Sequence, residues 1–226
     1  RDATVAQGRL HGEHPREQPE SDHDDGAVGD VTALARAPFV SDEQKQAAAN
    51  AFNPDKMVAD IWDAKVIPFF AQRAGALKDV ASLTASDLAA AGAKYGHKEK
   101  QGSAPWTFAA KVDGTIVAEE TKSRAAYVDV DVDCDAKAEI RISIGPAIRG
   151  TALRDALDFV DFNSFQNQIE WAQFGKSFNI HTNKTLLSKL PRTGLTGQKI
   201  SAVGAYPLPA KGQLPQLVPV TITIGG

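Results

Sequence analysis

The sequence predicts an α+β fold: a five-stranded antiparallel OB-like β-barrel with a helical insert, and a layer of N-terminal helices packed on it. Three observations carry this expectation. The hydrophobic pattern switches from a helical to an alternating period after Pro105. The alternating segments are short and evenly spaced, as in a small closed sheet. Between the segment ending at Ile144 and the last two strands lies a long helical stretch, which is where the connectivity of a five-stranded barrel places one.

Asn53-Pro54-Asp55 reads as the first helix start, with an N-cap, a proline in the first turn and an acid beside it. Met57, Val58, Ile61, Trp62 and Val66 then recur at helical spacing, and Pro68 is expected to kink or end that helix. Thr84 with Asp87 resembles a capping box opening a second helix, and Gly96 is its expected stop. His97 falls just beyond and reads as a surface loop residue. Trp106 to Val112 and Thr115 to Lys122 read as two strands joined by Asp113-Gly114, a strong hairpin signal, or, in the connectivity of a five-stranded barrel, as one long strand bent there.

Two strictly alternating strands come next, from Ala126 and from Ala138 to Ile144, each with one buried and one wet face. Residues 151–190 are expected to be helical in two or more pieces, broken around Asp161 to Ser164. Lys199 to Tyr206 and Leu217 to Ile224 close the chain as strands, the last an edge or a bulged strand because of Pro219. The predicted organisation is an acidic disordered leader (1–40), a helical layer (41–100) with a weak helix start at Ser41, and a barrel with its insert (101–226), the last two packed as one unit.

Composition excludes several function classes. Across 226 residues the net charge is −3, and residues 1–30 alone hold eight acidic side chains against three basic ones. The body is therefore close to neutral, without the basic excess of a phosphate-backbone binder, and its strands alternate with Asp and Glu, so no nucleic-acid partner is expected. No apolar run is long enough to span a bilayer. A single cysteine, Cys134, excludes an intrachain disulfide. Glycine-rich phosphate loops, G-x-S-x-G elbows and H-E-x-x-H motifs are absent, and Cys134 sits in an acidic hairpin with only the distant His181 for a partner. A non-enzyme is expected.

Three constellations remain. Asp131, Asp133, Asp135 and Glu139 place hard oxygen donors at relative positions one, three, five and nine, a candidate Ca2+ loop or else an acidic hairpin with its carboxylates on the wet face of alternating strands. The loop lacks the glycine an EF-hand has at position six, where Ala136 stands and a left-handed backbone is not expected. Arg149, Thr151, Arg154 and Asp155 surround a predicted helix start, where two guanidinium groups could hold a carboxylate or phosphate or could pair internally with Asp155, Asp158 or Asp161. Asn167, Gln168 and Glu170 beside Trp171 suit sugar hydroxyls against an aromatic ring, and equally suit satisfying buried backbone groups, with Asn163 or Ser164 as the helix cap. Beyond the Ca2+ candidate no cofactor is expected.

Read together, Ile144-Gly-Pro-Ala-Ile-Arg-Gly-Thr-Ala-Leu-Arg-Asp-Ala156 and Phe162-Asn-Ser-Phe-Gln-Asn-Gln-Ile-Glu-Trp171 resemble the predicted periplasmic lipoproteins of domain-of-unknown-function family 2291. So do Phe52 to Asp55, Ile61 to Pro68 and Ala93 to His97, and the similarity spans about residues 52–224. The resemblance implies a periplasmic location and an accessory role in carbohydrate uptake, beside sugar ABC-transporter components, with no catalytic residues to carry over. It also implies a hydrophobic signal or anchor ending at a lipidated cysteine. Residues 1–30 show neither, which leaves membrane anchoring open. The expected function is a non-catalytic periplasmic accessory or ligand-binding module for carbohydrate ABC transport, with a small carbohydrate as ligand. The alternative is a structural or assembly protein at the membrane surface with no small-molecule ligand.

Overall fold

The computed structural model describes residues 52–99 and 104–225. The acidic leader expected over 1–40 and the helix start at Ser41 lie outside the described residues. No helix among the described residues is long and apolar enough to cross a membrane.

The first helix, α1 (Pro54–Ile61), begins as its sequence dictates: Pro54 occupies the first turn and the Asn53 side chain accepts from the Lys56 amide at 3.0 Å. Pro68 neither ends nor sharply breaks the helical run. A π-helical turn (Trp62–Val66), whose exit amide at Ile67 bonds to the Trp62 carbonyl, leads directly into α2 (Ile67–Arg73). The wider turn accommodates the proline, which has no amide to offer and crowds the carbonyl four residues earlier. Val58, Trp62, Val66 and Phe70 are all buried, a four-residue repeat that forms one stripe.

A two-residue strand β1 (Gly75–Ala76) precedes α3 (Leu77–Ser86), α4 (Leu88–Tyr95) and a second short strand, β2 (Gly96–His97). The capping box placed at Thr84 is corrected here. Helix α3 runs through Thr84, whose hydroxyl donates back to the Val80 carbonyl at 2.6 Å, and the true N-cap is Asp87, accepting from the Ala90 amide at 2.9 Å. Gly96 does stop α4, in an extended conformation that starts β2.

Five strands form the barrel: β3 (Thr107–Glu120), β4 (Tyr127–Asp131), β5 (Ile140–Ser143), β6 (Lys199–Pro207) and β7 (Gln216–Ile224). Their order is β3-β4-β5-β7-β6, and β3 closes the ring on β6 from Thr107↔Pro207 to Thr115↔Lys199. The expectation of an all-antiparallel barrel is corrected: β5 and β7 run parallel, pairing Arg141↔Gln216 and Ile142↔Leu217. Topology requires it. Strands in a closed ring of odd number cannot alternate direction throughout, so at least one neighbouring pair must be parallel. Pro219 sits at a register break between β6 and β7, with Val203 opposite Thr221 and Gly204 opposite Pro219, so the bulged option holds.

Asp113-Gly114 makes no hairpin. Both residues lie inside the fourteen-residue β3, and the chain first reverses after Glu120. The glycine serves a close approach instead: a Cβ at Gly114 would collide with the Asp131 carbonyl oxygen and the Val130 side chain of β4.

Two apolar clusters organise the rest. The interior cluster holds Phe108, Val112, Ile116, Val128, Ile142 and Leu217 from the strands, and α3 and α4 add Leu77, Val80 and Ala91. The outer cluster joins Ala109, Ala205, Val218 and Val220 on the barrel wall to the α1–α2 stripe and to Phe174 and Phe178. Those phenylalanines come from the excursion over 144–198, which breaks into α5 (Ala152–Asp155), a 3-10 turn (Phe162–Ser164), α6 (Gln168–Thr185) and a second 3-10 turn (Leu187–Lys189). The helical insert thus flanks the barrel. The helices before Gly96 are not one layer: α1 and α2 lie on the outer wall and α3 and α4 against the interior.

Candidate functional site

A cavity of about 490 Å³ lies where α5 and the start of α6 meet the barrel rim. Arg149, Thr151, Arg154, Asp155 and Trp171 line it from the excursion, and Thr107, Gln216 and Val218 from the strands. Five of the eight residues singled out for ligand binding are therefore brought together.

Arg154 organises this group. It is 8% exposed, and its guanidinium lies 3.9 Å over the Trp171 ring. Nε and Nη2 donate to Asp155 Oδ1 at 2.8 and 2.5 Å, Nη1 to the Trp171 carbonyl at 2.8 Å, and Nη2 also to Thr151 Oγ1 at 3.1 Å. Thr151 donates in turn to Asp155 Oδ2 at 2.6 Å. The internal pairing of Arg154 is the observed arrangement, and it fixes α5 against α6. That contact needs Gly175, because a Cβ there would sit 2.6 Å from Thr151 Cγ2 and 2.8 Å from Arg154 Nη1.

The polar groups left for a ligand are consequently different ones. Arg149 is exposed and makes no hydrogen bond or ion pair among the described residues. Thr107 is 3% exposed, and its hydroxyl has no partner among the described residues. Sequence reading missed Thr107; its only signal was a hydroxyl alternating out of phase with Phe108. It also misplaced His97, which is half-buried in β2, with Nδ1 2.8 Å from the Asp155 carbonyl oxygen.

Asn167, Gln168 and Glu170 do not reach the cavity. Asn167 rather than Asn163 or Ser164 is the N-cap of α6, accepting from the Ile169 and Glu170 amides at 2.9 and 3.0 Å. Glu170 accepts from the Gln166 amide at 3.0 Å, and Gln168 is exposed in the first turn. Their density in sequence is that of a helix start. One face of Trp171 is taken by Arg154, and Phe162 and Phe165 meet the ring edge-on at 5.9 and 5.1 Å.

The acidic set Asp131, Asp133, Asp135 and Glu139 does converge, with one oxygen of each within 4.8 Å of the others. By donor type and reach these residues could hold a hard divalent cation. The same oxygens hold the loop's own backbone. Asp131 Oδ1 accepts from the Asp133 and Cys134 amides at 3.1 and 2.7 Å, and Oδ2 from Ala136 at 2.9 Å. Glu139 accepts from Val132 at 2.8 Å, Asp133 from the Asp135 amide, and Asp135 from both the amide and Nζ of Lys137. Ala136 takes the left-handed conformation not expected of it, at φ 67°, as does Cys134 at 68°, and the Asp131 carboxylate compensates. Asp131→Ala should leave three amides short of an acceptor and destabilise the fold by about 2 kcal/mol, with Asp131→Asn retaining part of it. Urea melts of the two variants check this.

The family described as "Predicted periplasmic lipoprotein (DUF2291)" matches residues 36–223. No curated protein matches the chain. Among solved structures, an OB-fold protein from Thermotoga maritima superposes with a TM-score of 0.60 at 16% identity, covering 77% of this chain and 99% of its own. That likeness concerns the fold, and it agrees with the closed five-stranded ring. The chain belongs to the DUF2291 family of predicted periplasmic lipoproteins, and its compartment is the periplasm.

Proposed function

We propose that the protein is a non-catalytic periplasmic accessory module of carbohydrate ABC transport that holds a small carbohydrate in the cavity beside α5. The observation that carries the reading is the guanidinium of Arg149, paired with no described residue, at the edge of a cavity of about 490 Å³ where Arg154, Thr151 and Asp155 already hold one another in place. A rigid frame of Arg154, Thr151 and Asp155 lets a ligand bind without ordering those side chains, which lowers the entropic cost. The Arg149 fork and the Thr107 hydroxyl offer hydrogen bonds suited to sugar hydroxyls or to a sugar carboxylate.

Support for the non-catalytic part comes from the disposition of nucleophile and base. Where a hydroxyl, a carboxylate and an imidazole come near one another, around a small cleft on α6, Ser177 donates to Asp55 at 2.5 Å. His181 instead packs against Trp62, the rings tilted by 39° at 4.4 Å between centroids, and burial pushes its pKa down. No hydroxyl–imidazole hydrogen bond forms there among the described residues.

Calorimetric titration with a panel of mono- and disaccharides, neutral and acidic, tests the proposal. At least one sugar should give a saturable heat that Arg149→Ala weakens about tenfold with the circular dichroism spectrum unchanged. Silence across the panel removes the ligand and favours a structural or assembly role at the membrane surface. The exposed apolar side chains Ile169 (69%) and Phe159 (43%) on the same excursion support that second reading, which expects transporter permease subunits to co-purify with the protein.

A further inference from the structure

A second cavity, also about 490 Å³, opens at the mouth of the barrel between α3 and the loops after β4 and β6. Along β6, alternation sends Ile200, Ala202 and Tyr206 into the interior cluster. Tyr206 is the last of them, so its ring stands at the mouth, 5.9 Å from the Phe108 ring. Leu77 and Ala81 on α3, Val132 after β4, and Leu208 and Leu214 after β6 make the walls apolar. Tyr206 lines the cavity and is 4% exposed, yet its hydroxyl bonds to no described residue. The hydroxyl is therefore open to the cavity and free to donate to a molecule held there. Burial also pushes the Tyr206 pKa upward, so the group stays protonated and able to donate. Charge at the rim is mixed, Lys78 against Asp133 and Glu139, and favours neither an anion nor a cation.

We infer that this cavity binds a neutral, mainly apolar small molecule carrying one carbonyl-type oxygen, which accepts a hydrogen bond from Tyr206. The volume lies within the ~300–1,000 Å³ range of small-molecule sites, and apolar walls with a few placed polar groups, here the Tyr206 hydroxyl, are their usual chemistry. A sugar is poorly matched, because most of its hydroxyls would face hydrocarbon. The site is independent of the carbohydrate cavity, and the two can fail separately.

The test uses the full chain and the neutral naphthalene ketone probe prodan, whose emission shifts to the blue and brightens in an apolar setting. Saturable binding is expected. Tyr206→Phe, which keeps the ring and loses the donor, should weaken it about fivefold. Ala81→Trp, at an exposed position of α3, should fill the cavity and abolish binding without loss of the circular dichroism signal. Arg149→Ala should leave prodan affinity unchanged. Absence of saturable binding, or equal affinity in Ala81→Trp, overturns the site. Equal affinity in Tyr206→Phe overturns the role given to the hydroxyl.

Discussion

Gly114→Val should destabilise the protein by roughly 3 kcal/mol, lowering the melting temperature by about 10 °C. The added side chain meets the carbonyl oxygen of Asp131 and the Val130 side chain, and the first of these belongs to backbone, which cannot rotate away. Relief requires β3 and β4 to separate where Thr115 pairs with Asp131, the last pair before β4 ends. The neighbouring Asp113 is exposed, so Asp113→Ala should move the melting temperature by no more than a degree or two. Thermal melts of the two variants separate the two roles open to this dipeptide. A turn would tolerate loss of neither residue's local chemistry, whereas a close approach is sensitive to the glycine alone.

Arg154→Met should cost about 3 kcal/mol. The methionine fills part of the space, but the Trp171 carbonyl loses its side-chain donor and the Asp155 carboxylate is left with Thr151 alone. Asp155 is 36% exposed, so water recovers some of its loss and the figure lies at the low end for a broken buried pair. Arg154→Lys should recover little, since an ammonium cannot serve Asp155, Thr151 and a carbonyl from one planar fork while lying over an indole. Adding Asp155→Asn to Arg154→Met should cost markedly less than its effect alone, a coupling of about 1–2 kcal/mol in urea denaturation. Additive losses would mean that the two side chains do not act as a pair.

Local chemistry made much of the fold legible. The Asn53-Pro54 cap, the four-residue stripe ending at Phe70 and the alternating strands come from turn chemistry and hydrophobic period. Other features depend on partners distant in sequence. Asp113-Gly114 reads as a turn until β4 is placed beside it, and the parallel β5–β7 pair is a consequence of closing the ring. Pro68 announces a disturbance but not that a π turn absorbs it.

The site divides the same way. Arg149, Thr151, Arg154, Asp155 and Trp171 do share a cavity, but residue type alone could not tell that Arg154 is turned inward and Arg149 is not. Asn167 and Glu170 looked like a polar binding set because helix caps and sugar sites draw on the same side chains. Thr107 and Tyr206 carry the opposite lesson: a lone hydroxyl residue in a strand gives no sign that it packs inward at the wall of a cavity.

The most direct trial of the cavity as a ligand site is nitrogen–proton NMR of the tryptophan indoles while the best sugar from the panel is added. Three tryptophans give three indole signals, and Trp171→Phe identifies the one at the cavity. The Trp171 signal should move progressively to saturation, while that of Trp62, packed in the outer cluster away from the cavity lining, stays still. A Trp171 signal that does not move at saturating sugar, or one that moves no more than Trp62, would contradict the assignment.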